Sequence, residues 1–283
     1  MTTLSCESEV SLASPQPAGQ AEEARQGSYG QILKSSALVG GSSAVNIVIG
    51  MVRTKAMALL LGPAGFGLFG LFGSVANLTQ TVAGMGVNSS GVRQIAEATG
   101  SGDSTRVAQT TIVLRRVAIL LGLIGAAILI VFRRPVAQLT FGSAERAPEV
   151  ALLSVAVFFT LVSAGQGALI QGMRRIADLA KMSVLGALCG TFASILLVYF
   201  LRDRGVVPAL VAVAAMTALV SWLYSRRIRI TTPAVTASYV MQEVVDLLKL
   251  GLAFMSSGLM TIGAAYAVRI IILHRCGLEA TGQ

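Results

Sequence analysis

Ile112–Phe132 reads IVLRRVAILLGLIGAAILIVF, and from Val117 to Phe132 it holds no charged or strongly polar side chain. A helix of about 20 apolar residues crosses the roughly 30 Å hydrocarbon core of a bilayer, so this stretch is a transmembrane helix. Its surroundings agree. The chain has 283 residues, 54% of them hydrophobic and only 12% charged, with a mean hydropathy of +0.74. Soluble domains carry about 25% charged residues. An ordinary soluble enzyme, a disordered chain and a disulfide-stapled secreted domain are all excluded.

Six further stretches qualify: Ile32–Leu61, Phe66–Val87, Val150–Ile170, Met182–Leu201, Val206–Tyr224 and Leu250–Leu273. None shows the ten-residue alternation of an outer-membrane barrel. The predicted fold is all-α, a polytopic integral membrane protein with about seven transmembrane helices. Residues 1–28, rich in Ser, Ala, Gln and Glu, lack the basic start and apolar core of a signal peptide and read as a disordered cytoplasmic tail. Residues 29–230 form the first lobe, 231–249 an interfacial linker helix and 250–283 the next span.

The net charge of +9 suits loop arginines facing anionic lipid rather than nucleic acid. Thirteen of the 22 basic residues fall on the N-terminal side of the membrane, which places the N-terminus in the cytoplasm of a plasma (cell inner) membrane protein. Cys6, Cys189 and Cys276 lie far apart and His274 stands alone, so neither a metal site nor a disulfide framework is expected. No cofactor is expected either.

Two connecting segments read as amphipathic interfacial helices. One is Val92–Glu97, with Val92, Ile95 and Ala96 on one face; the other is Val240–Lys249, with Val240, Val244, Leu247 and Leu248 at helical spacing. Ends of the first and last spans also echo each other. Arg53 precedes the turn Gly62-Pro-Ala-Gly-Phe-Gly67, Arg269 precedes Gly277-Leu-Glu-Ala-Thr-Gly282, and Ser42-Ser43 and Ser256-Ser257 lie upstream. Internal repeats of this kind are common in transporters.

Those segments, with Ser35-Ser36 opening the first span and Gly91-Val-Arg-Gln-Ile-Ala-Glu97 after the second, resemble the polysaccharide and O-antigen translocases of the MOP superfamily. These are relatives of the multidrug MATE exporters and lipid II flippases. The resemblance covers residues 28–283 and corresponds to an N-terminal portion: one six-helix MATE-like lobe plus the first helix of a second, truncated lobe. It implies alternating-access flipping of an undecaprenyl-pyrophosphate-linked oligosaccharide, an O-antigen or exopolysaccharide unit, with the lipid bilayer and polysaccharide polymerase machinery as partners. It also implies that Arg53, with Arg269 as its second-lobe counterpart, meets the substrate diphosphate.

Guanidinium pairs bidentately with phosphate oxygens and keeps its charge. Near a span end, however, it also snorkels to the interface. Arg115, Arg116 and Lys34 are weaker diphosphate candidates for which interfacial anchoring is favoured. Asn46, Asn77, Gln166 and Gln171 sit in or near spans, where amides either bond a partner helix or line a cavity. Intramembrane acids are absent from the sequence reading, against a carboxylate proton relay. Gly65-x-Gly67-x-x-Gly70 lacks the strand and nearby acid of a dinucleotide fingerprint; Gly67, Gly70 and Gly73 read as a helix-contact stripe. The sequons at Asn77 and Asn88 are ascribed to chance.

Three rivals follow. A multidrug or cation antiporter of the same superfamily would prefer an acidic cavity. A polymerase or ligase of envelope assembly would need a large loop with catalytic groups, and none is visible, so no enzyme is expected. The third is an inactive truncated remnant.

Overall fold

This computed structural model describes residues 18–228 and 237–281, with side chains from Ser36 to Leu273 apart from Asp203, 229–242, Asp246 and Ser257. In order come α1 (Ala18–Gly84), α2 (Val87–Gly100), α3 (Ser104–Val131), α4 (Arg133–Phe141), α5 (Ala147–Gly172), α6 (Ile176–Leu201), a 3-10 turn (Arg202–Gly205), α7 (Val206–Arg226) and α8 (Ala237–Thr281). No strand occurs among the described residues. With no water to satisfy an open backbone in hydrocarbon, helices are what such a composition can build.

Five helices are long and apolar enough to span a membrane, and six if the bent pair Glu243–Ser256 and Gly258–Leu273 counts as one. The sequence reading of seven differs because its first two spans lie within α1. The apolar part of α1, Ser36–Gly84, is 49 residues long, more than twice what one crossing needs. It is broken at Gly62, whose φ of 67° and ψ of −178° are not helical. A glycine is what that backbone requires, and Pro63 opens the second half where its missing N–H costs nothing.

The two halves run in opposite directions, as their neighbours show. Asn46 bonds Ser183, early in α6, while Met57 packs with Val198, late in α6; the first half is parallel to α6. Beyond Gly62, Phe72 shares a core cluster with Leu129 at the end of α3, and Ala83 lies against Gly125, about one turn earlier in it. The second half is therefore antiparallel to α3. Gly122 meets Phe158 and Gly165 meets Ala118, so α3 and α5 are antiparallel; Gly186 meets Thr217 and Gly190 meets Val213, so α6 and α7 are too. Val150 and Val206, near the starts of α5 and α7, share a core cluster, and Ser221 bonds Gln166 near their ends. A helical hairpin closes at Gly62.

Other segments depart from expectation. Helix α1 already begins at Ala18, inside the stretch read as a tail, and residues 1–17 lie outside the described ones. The 237–249 segment is continuous with the last span rather than a separate helix, and Leu247 is fully buried with Val244 and Leu248 packed beside it. Helix α8 also runs through Gly277, where a turn is predicted, and bends by 41° between Ser256 and Gly258 instead. In α2 the buried face is Val87, Ser90, Gly91, Ile95 and Ala98, so Ile95 is on it but Val92 and Ala96 are flank. Short α4 has no counterpart in the sequence reading; it packs Phe141 on Phe72, ring centroids 4.8 Å apart.

The position of α8 is set by backbone proximity. A Cβ at Gly251 would lie 2.1 Å from the Met85 carbonyl oxygen, and one at Gly86 would lie 2.2 Å from that of Gly251. Gly86 also has a φ of 64°, disfavoured for any side chain. Overpacking against rigid backbone costs about 1–3 kcal/mol. Gly251→Ala should therefore lower the apparent Tm of the purified protein in detergent. Gly263→Ala, on the same helix with open space around its Cα, should hold or raise it slightly; equal shifts for both would refute close packing as the clamp.

Candidate functional site

A cavity of about 480 Å³ opens between the hairpin, α5, α7 and α8. The first half of α1 supplies Arg53 and the second supplies Gly70, Gly73, Asn77 and Gln80. Thr160 and Ser163 come from α5, Thr217 from α7 and Arg269 from α8. The two arginines of the sequence echo thus face one space. No carboxylate lines it.

The arginines are held differently. Arg269 Nη1 donates to the Gly70 carbonyl at 2.7 Å and to Ser74 Oγ. Both bonds leave from one nitrogen, so the rest of its five-donor fork is left for the cavity. Arg53 is half-buried and makes no hydrogen bond or ion pair among the described residues. No acid lines the cavity opposite this half-buried cation, so an anion entering there would meet an unpaired positive charge. Thr160 and Thr217 return their hydroxyl protons to Ala156 O at 2.9 Å and Val213 O at 2.8 Å, which leaves their oxygens as acceptors.

A second chamber of about 290 Å³ shares Asn77, Gln80 and Thr160 with the first and continues past Thr81, Asn88 and Ser89 to Phe254 and Met255. It carries amides and hydroxyls but no charge. The two spaces are stacked along the bundle, the cationic one toward the start of α7 and the neutral one toward α2. Gly70 and Gly73 belong to the first of them; their small size makes room there, not the helix contact expected from their spacing.

The remaining candidates scatter. Asn77 lines both chambers. Asn46 lies outside them and donates to Ser183 Oγ at 2.8 Å, with its Oδ1 unpartnered. Gln166 accepts from Ser221 Oγ at 2.6 Å and lines a separate cleft with Arg115. Arg116 and Gln171 are exposed, and the side chain of Lys34 lies outside the described ones. Only Arg53, Arg269 and Asn77 of the predicted set are brought together. Gln80, Thr160, Ser163 and Thr217 were missed; uncharged hydroxyls and amides recurring inside apolar runs were the available signal. No three His, Cys, Asp or Glu side chains gather into a metal-binding group among the described residues.

A comparison with curated proteins finds no match. Solved structures do match in fold. A chain described as protein A superposes with a TM-score of 0.75 at 14% identity, over 88% of this chain and 57% of that one. An inward-facing multidrug resistance MATE family transporter of the MOP superfamily gives 0.65 at 18%, over 84% and 56%. A MOP superfamily transporter from Pyrococcus furiosus, described as having a binding pocket of reversed polarity, gives 0.64 at 16%, over 88% and 62%. The chain therefore spans somewhat more than half the length of each. Residues 32–283 match the family model described as polysaccharide biosynthesis protein, and the chain, whose helical fold is like that of the MATE transporters, belongs to that family.

Proposed function

We propose that this chain forms the first lobe and the opening helix of the second in a translocase that flips undecaprenyl-pyrophosphate-linked oligosaccharide across the inner membrane by alternating access. The observation that carries the reading is the pairing of Arg53 and Arg269 on one carboxylate-free cavity. A diphosphate brings two adjacent negative groups. Two guanidinium forks can replace the water it loses, each fixed in charge and bidentate in geometry. The neutral chamber beyond Asn77 offers amides and hydroxyls, the partners that sugar hydroxyls accept. Its place toward α2 sets the sugar on the side of the chain's N-terminus, taken as cytoplasmic from the basic-residue bias. Membership in a polysaccharide biosynthesis family supports a saccharide cargo.

A cation antiporter is the second reading, supported by the fold shared with multidrug MATE transporters. Two unneutralised arginines oppose it, because like charges in a low-dielectric cavity repel.

Binding of undecaprenyl diphosphate to the purified chain separates the two. Hydrogen bonds to charged groups contribute about 1.5–3 kcal/mol, so Arg53→Gln should weaken binding about tenfold or more, whereas the exposed Arg116→Gln should not. Tighter binding of tetraphenylphosphonium than of the diphosphate lipid would favour the antiporter. In a complete two-lobed protein, Arg53→Ala should abolish export without lowering membrane abundance; normal export sinks the assignment.

Orientation is tested by cysteine labelling with Cys6, Cys189 and Cys276 replaced by serine. An impermeant maleimide outside the inner membrane should reach Arg204→Cys and not Ile176→Cys. The reverse pattern would invert the topology.

A further inference from the structure

Arg115 is a half-buried cation that has no acidic partner among the described residues and that the transport reading does not use. It lies in the fourth turn of α3 and its Nη2 donates to the Ser225 carbonyl at 3.1 Å and to Ser225 Oγ at 2.6 Å. Nε and Nη1 make no hydrogen bond among the described residues. Beside it, at the end of α7, the Arg226 guanidinium stacks 4.3 Å from the centroid of the Trp222 ring. A face-on stack leaves the N–H edge of a guanidinium available for other partners. Both arginines line a cleft of about 150 Å³ that no carboxylate enters.

The rest of the cleft tells what ligand fits. Its other walls include Ala118, Ile119 and Val162, and Ile119 and Trp222 are 44% and 45% exposed on the outside of the bundle. In a membrane that surface meets acyl chains, while Trp222, Arg226 and Arg227 mark the interfacial level. The cleft is thus cationic at headgroup height and apolar below it. Neither central chamber includes Arg115, Trp222 or Arg226.

We propose that this cleft between α3 and α7 is a binding site for an anionic glycerophospholipid, its phosphate held by Arg115 and Arg226 and its chains lying along Ile119 and Trp222. The site is separate from the translocation cavity and does not depend on the flippase reading.

Trp222 is the chain's single tryptophan, so its fluorescence reports on this cleft alone. The purified full chain would be reconstituted in vesicles of phosphatidylglycerol and phosphatidylcholine, with bromine on the chains of one or the other. Brominated phosphatidylglycerol should quench Trp222 well beyond its mole fraction, a preference of roughly tenfold or more over phosphatidylcholine for two arginines at the surface. Arg115→Gln with Arg226→Gln should abolish the preference. Should that pair fail to fold, the exposed Arg226→Gln alone should cut it severalfold. Equal quenching by the two lipids, or an undiminished preference in the variants, overturns the proposal. Loss of the preference on adding inorganic phosphate at constant ionic strength also overturns it, in favour of a free-phosphate site.

Discussion

A guanidinium inside a membrane domain must be solvated by something, and here the protein supplies only part of that solvation. Arg269 is tied through Nη1 to Gly70 and Ser74, a backbone carbonyl and a hydroxyl that do not neutralise it. This contact joins α8 to the second half of the hairpin and fixes the wall of the cavity. One wall of the cavity and one of its two cations are thus set by one interaction.

Two backbone constraints make that interaction possible. The break at Gly62 folds α1 back on itself, so Arg53 on one half and Gly70 on the other can line the same space. The approach of Gly251 to Met85 and Gly86 clamps α8 near the α1–α2 turn. From there, beyond the 41° bend after Ser256, α8 carries Tyr266 to its 2.6 Å hydrogen bond with Thr140 of α4 and Arg269 to the cavity. Buried helix contacts elsewhere follow the same economy of size: Gly125 against Ala83, Gly165 against Ala118 and Gly172 against Ile95 leave no room for a Cβ. In lipid, where chains are as apolar as leucine, close backbone approach is a principal source of helix association.

The spans α3, α5, α6 and α7 were legible because an apolar run bounded by charge has no other stable outcome in this composition. The hairpin was legible too, from Gly62-Pro63. Helix α4 was not, since Arg133-Arg134-Pro135 opens it and nine residues give no period to read. The α8 bend was missed because Gly277 offered a stronger turn signal than Ser256-Ser257-Gly258, and helix continuity is decided by packing. Among site residues, the echo between Arg53 and Arg269 picked out a pair that does share a cavity. It could not separate Arg115, because chain position gives depth in the membrane but not which side of the helix faces inward. Asn46 illustrates the same gap: its amide is used by Ser183, a partner 137 residues away.

What distinguishes one arginine from another here is the placement of the acids. The ion pairs Arg93–Glu97, Arg146–Glu149 and Arg175–Asp178 all join residues three or four apart, in or at the start of the helices α2, α5 and α6. Each is partly exposed, where an ion pair contributes about 0–1 kcal/mol. They neutralise charge where water would have tolerated it. The central cavity, where Arg53 is half-buried, and the α3–α7 cleft, where Arg115 is half-buried, are lined by no acid. Arginines fronting a space with no carboxylate in its lining are therefore the feature the two spaces share, and the helix surfaces that carry the ion pairs lack it.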